Sequence, residues 1–226
     1  MANFHKSLEH LHDEQPLHCS RVAVLICPAL NRGRFFKERK PPPWWKKKNH
    51  LTPEFVKLQC RYHPNWEDYL QKVVAPLVPN LEYLHLNTNA TVIVDATWKD
   101  FKSIFKAPDF ELLLLLAHHS AEKEAIEFAG QMVPVEQFHS FITNTKRVKA
   151  ISIFFIACHS KSFSLPLQSL NTPINSIAWA SWAMPMIESM EFIATLVKSL
   201  DGTHTLSQAY HFTLRQLLGP LKPPLE

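Results

Sequence analysis

The chain of 226 residues is 46% hydrophobic and 19% charged, with a formal charge of +4, a length that suits one domain with a proper core. It has only four glycines, Gly33, Gly130, Gly202 and Gly219, against about 7% in an average chain. None are spaced as GxGxxG, GxxxxGK[ST] or GxSxG, so the dinucleotide fingerprint, the phosphate-cradling P-loop and the nucleophile elbow are excluded.

Cys19, Cys27, Cys60 and Cys158 form no CxxC pair, and the first residues, MANFHKSLEHLHDEQ, are polar and mixed in charge. A cytoplasmic protein with free thiols is the expectation. The most apolar stretches, Leu112–Ala117 and Ile177–Ile187, are far shorter than the roughly 20 residues of a membrane helix, so a soluble chain is expected.

Residues 1–20 read as an N-terminal tail and 21–226 as the folded domain, interrupted by a basic Pro/Trp-rich loop at 31–50. Between Arg32 and Lys48 eight cations face Glu38 alone, which leaves the rest of the chain slightly acidic. Such runs are usually solvated loops, with nucleic acid or anionic lipid as the rival partner. The four histidines of the tail show no ligand spacing, so no metal is expected there.

Val22–Ile26 is a continuous apolar run that fits a strand buried on both faces. Thr52-Pro53-Glu54 opens a helix, and a second covers Asn65–Val74, closed by Pro76 and Pro79. Thr91–Val94 is the next strand, followed by a helix capped at Thr97 and ending before Pro108. Glu111–Ala117 is a third strand. Ile126–Phe128 and Met132–Val135 flank Ala129-Gly130 as a hairpin, and a helix runs from Pro134 to about Asn144. Ala150–Ala157 and Ser176–Ala180 are two further strands. Two helices close the chain, one stopped by Asp201-Gly202 and one from Leu206 to Leu218 capped by Thr205. This alternation predicts an open α/β sheet, mostly parallel, with helices on both faces.

Sheets of this kind put their chemistry beyond the carboxyl ends of the strands, where Cys27, Asp95, His118-His119 and Cys158-His159 fall. If the strands before His118 and Cys158 are adjacent and parallel, an imidazole and a thiol meet at one edge, and imidazole can activate a thiol. A metal held by His118, His119, Cys158 and His159 is a rival on ligand types, disfavoured by the spacing.

LLLLLAHHS, followed 40 residues after His118 by IFFIACHS, resembles the two signature blocks of caspase-like cysteine peptidases. IEFAGQMVPVEQF between them, VIVDATWKDFKSIF before them and IAWASWAMPMIESMEFIATLVKSLDGTHTLSQAYHFTLRQL after them resemble further blocks of the CHAT branch of that family. The likeness runs over roughly Arg21–Leu218. It implies a three-layer α/β/α sandwich, a thiol protease with Cys158 as nucleophile and His118 as general base, and an oxyanion hole from the backbone N–H groups of His119 and Cys158. It implies no cofactor. It also implies a protein substrate, with bacterial antiviral defence or programmed cell death and a gasdermin-type pore former as the setting.

His119 stands where the family has glycine, which leaves His118 or His119 open as base and keeps alive a second reading, an inactive caspase-like scaffold. Asp95, Trp179 and Trp182 are candidates to line a substrate pocket, with a helix cap or core packing as their plainer roles.

Overall fold

Neighbouring residues of a strand point to opposite faces, so a run such as Val22–Ile26 needs an apolar layer on each side. The computed structural model, which describes residues 15–27, 75–168, 172–179 and 186–218, supplies both layers. In chain order the elements are β1 (Pro16–His18), β2 (Val22–Ile26), α1 (Ala75–Leu86), β3 (Thr91–Val94), α2 (Trp98–Lys106), β4 (Leu112–Leu116), β5 (His118–Ser120) and β6 (Ala125–Phe128). There follow β7 (Gln131–Pro134), α3 (Val135–Asn144), β8 (Ile151–Ile156), α4 (Lys161–Gln168), β9 (Ile174–Trp179), α5 (Met186–Ser199), β10 (Asp201–Thr205) and α6 (Leu206–Leu218).

The central sheet has the order β3-β2-β4-β8-β9, and each of its pairings is parallel. Val22, Val24, Ile26, Leu112, Leu114, Leu116, Phe154 and Ile156 meet apolar residues of α1, α5 and α6 on one face. On the other face Ala23, Leu25, Leu113, Leu115, Ile153 and Phe155 meet α2, α3 and α4. The expected mixed α/β architecture with a parallel central sheet is present.

Local signals placed several elements well. Thr97 and Asp100 form a reciprocal capping box, with the Thr97 N–H donating to Asp100 Oδ2 at 2.9 Å and the Asp100 N–H to Thr97 Oγ1 at 3.2 Å. Thr205 and Gln208 do the same at the start of α6, and each such cap contributes about 1 kcal/mol.

Three expectations need correction. The prolines read as a helix stop, Pro76 and Pro79, lie within α1. Pro79 forgoes a ladder bond, and the burial of Leu77, Leu81 and Leu84 outweighs that loss. Asp201-Gly202 does not merely end α5 but opens β10, which pairs antiparallel with β1. Gly202 has φ +90°, and a Cβ there would come within 3.3 Å of the His18 ring. Pro16–His18, assigned to the tail, is therefore part of the folded body. The proposed helices over 52–74 and the basic loop at 31–50 lie outside the described residues.

Candidate active site

The pairing of β4 with β8 decides the site. The strands are parallel neighbours with Leu116 opposite Ile156, and the ladder continues one step, the Ala117 N–H donating to the Ile156 carbonyl at 3.2 Å. Two residues beyond that register along each chain come His118, the first residue of β5, and Cys158, so the topology brings both to the carboxyl edge of the same strand pair. Leu116 and Ile156 face the α1/α5/α6 layer, Ala117 and Ala157 the opposite one.

Cys158 opens a turn that leads straight into α4. The Ser160 N–H donates to the Ala157 carbonyl at 3.2 Å, the Ser160 hydroxyl to the Phe155 carbonyl at 2.9 Å, and the Ser162 hydroxyl to the His159 carbonyl at 2.9 Å. The turn forces His159 to φ +52°, a conformation that costs a side-chain-bearing residue about 1–2 kcal/mol. Among the described residues no backbone acceptor takes the Cys158 N–H. The thiol is free and partly exposed, three residues before the start of α4.

The two histidines part company at β5. His119 is 6% exposed; its Nδ1 lies 3.2 Å from the Cys158 carbonyl oxygen, and its ring sits 5.0 Å from that of Phe163 at 58°. Its Nδ1–H donates to that carbonyl, tying β5 to the turn after β8. His119 adopts ordinary strand backbone, so the position that is glycine in the resembled family needs no left-handed conformation here. His118 is on the opposite face of β5 and is half-buried.

Burial is the first cause that lowers the pKa of His118, to about 4, with His119 adding to it. His119 is also lowered, chiefly by burial, while its bond to the Cys158 carbonyl pulls the other way. His118 is therefore neutral at pH 7 and ready to accept a proton.

This depression has a stability consequence. The unfolded chain takes up the His118 proton near pH 6.5 and the folded one only near pH 4, so stability is intact above 6.5 and declines as pH falls through that window. A loss of about 2 kcal/mol is expected after allowance for partial exposure. Urea unfolding at pH 7.5 and 4.5 should show it, and His118→Ala should flatten the difference.

Of the other sequence candidates, Asp95 is the first residue past β3, at φ +55° and 1% exposed, with β2 between its strand and β4. Trp179 ends β9, its backbone opposite Phe155 of β8. Trp182 lies outside the described residues. The sequence reading overlooked Glu127, a buried carboxyl on β6, and His139, whose Nε2–H donates to the Phe163 carbonyl at 2.5 Å and fastens α3 to α4. A lone acid within AIEF was the only available signal for the first.

Among the described residues no three His, Cys, Asp or Glu side chains converge as metal ligands, and no helix is long and apolar enough to cross a membrane. Compared with known proteins, the chain matches no family model and no curated protein.

Proposed function

We propose that the chain is a cysteine endopeptidase of the caspase-like type, acting on a protein substrate through Cys158 and His118. The observation that supports this reading is the parallel pairing of β4 and β8, whose last paired residues, Leu116 and Ile156, each stand two residues before His118 and Cys158. The Cys158 Sγ–H gives its proton to the neutral His118 ring as Sγ attacks the scissile carbonyl carbon. The resulting oxyanion is met by the Cys158 N–H, with the His119 N–H as the second donor in the resembled family; such donors contribute about 3–4 kcal/mol. Collapse breaks the C–N bond, and the imidazolium returns its proton to the departing amine. A water molecule, deprotonated by His118, then hydrolyses the thioester and releases the thiol.

Because burial disfavours the imidazolium, the His118 ring rests neutral. A gasdermin-type pore former as substrate, and a role in defence or cell death, are proposed on the resemblance alone.

The test is a fluorogenic peptide library with Arg, Lys, Leu, Asp or Asn at P1, offered to the native chain and to Cys158→Ala. Turnover by the native chain alone supports the peptidase and names its P1 class. Equal signal from both sinks the assignment of Cys158. No turnover, with Cys158 alkylated no faster than Cys60, favours the scaffold.

A further inference from the structure

A buried ring that accepts the thiol proton becomes a cation, and the fold sets one carboxyl across from it. In the β5–β6 pairing Glu127 lies directly opposite His118. Directly opposite residues of an antiparallel pair share a face, with Cβ atoms about 4.5–5.5 Å apart. The reverse face of the ribbon carries His119 against Phe163, with Ile126, Phe128 and Val133 in the core. His118 and Glu127 therefore stand together on the face the hydrophobic core does not take. Glu127 is 1% exposed, in a strand whose other residues are buried and apolar, and acids are almost never so buried unless paired.

We infer, resting on the reading of His118 as base, that Glu127 is a positioning residue for it. Its carboxylate accepts one imidazole N–H, fixes the ring's tautomer, and meets the positive charge when the other nitrogen takes the Cys158 proton. The other groups around the pair do not duplicate this role. Met132 of β7 is the uncharged residue opposite Glu127, and Lys123 and Glu124 belong to the turn between β5 and β6. His119 points to the reverse face, and Cys158 and His159 approach from the end of β8. Asp95 ends β3, with β2 between that strand and β4.

The experiment compares ring ¹⁵N shifts of His118 at pH 7.5 in the native chain, Glu127→Leu and Glu127→Gln. One dominant tautomer is expected in the native chain and in Glu127→Gln, whose amide oxygen still accepts, and a mixture in Glu127→Leu. In turnover both variants should lose about 10- to 100-fold in kcat with KM unchanged, since a neutral amide cannot answer the imidazolium charge. A merely structural role would lower Tm and leave tautomer and kcat alone, and unchanged His118 shifts in Glu127→Leu overturn the inference. If Glu127→Leu does not fold, the carboxyl ¹³C titration of Glu127 is followed in His118→Gln, where an unaltered curve overturns it equally. A tautomer change in a chain that cleaves no peptide upholds the pairing and sinks the peptidase reading.

Discussion

His118→Ala is expected to lower kcat/KM by about 10³-fold or more, whereas His119→Ala should cost about tenfold. The difference follows from where β5 sends each ring. His118 takes the face of β5 opposite to His119 and is held neutral, with its pKa pushed down to about 4 by burial and by His119, so as the proposed base it is unprotonated across most of the working pH range. His119 spends Nδ1 on the Cys158 carbonyl at 3.2 Å and packs on Phe163. Its loss would let the Cys158 turn drift without removing the proton acceptor. The acid limb of kcat/KM should accordingly fall near the lowered pKa of His118 rather than near 6.5. Steady-state kinetics of the native chain and both variants from pH 3 to 8 decide it, and a reversal of the two effects would make His119 the base.

Phe138→Ala should destabilise the fold by about 3–5 kcal/mol. Phe138 is fully buried, and its ring lies 5.0 Å from Phe101, 5.7 Å from Phe155, 5.8 Å from Trp98 and 6.1 Å from Phe163. It thus joins α2, α3, α4 and β8 at one point. Truncation leaves a cavity that those rigid rings fill poorly, and Phe163, which supports His119, loses a neighbour. Urea unfolding gives the comparison, with Phe212→Ala as control, since Phe212 is 47% exposed and should change stability by no more than about 0.5 kcal/mol. A loss below 1 kcal/mol in Phe138→Ala would mean that the cluster repacks.

The parallel strands were legible because runs such as Leu112–Leu116 and Ile151–Ile156 are apolar throughout, which only a sheet covered on both faces requires. Adjacency of β4 and β8 could be supposed from alternation, but their register could not, and it is the register that ends both strands two residues before His118 and Cys158. The small strands escaped notice for a physical reason. Asp201–Thr205 is exposed and polar along nearly its whole length, so it has no hydrophobic period, and its pairing with Pro16–His18 arises from tertiary proximity alone. The proline rule failed at α1 because the burial of Leu77, Leu81 and Leu84 outweighs the ladder bond that Pro79 forgoes. The opposite faces that His118 and His119 take were also out of reach, because adjacent residues diverge only once the strand that carries them is known.

The clasp between β1 and β10 has a consequence for the order in which the molecule is made. Pro16 pairs with Thr205, so the first described strand waits, during synthesis, for nearly the last. By then every residue of the carboxyl edge through Cys158 has emerged, and α5 with it, while α6, which covers the same face of β2, β4 and β8 as α1 and α5, is still to come. Domains fold as their chains appear and non-local pairings close late. The nascent chain therefore holds its carboxyl edge on a partly covered sheet until α6 arrives, and the clasp forms just before that last layer is laid.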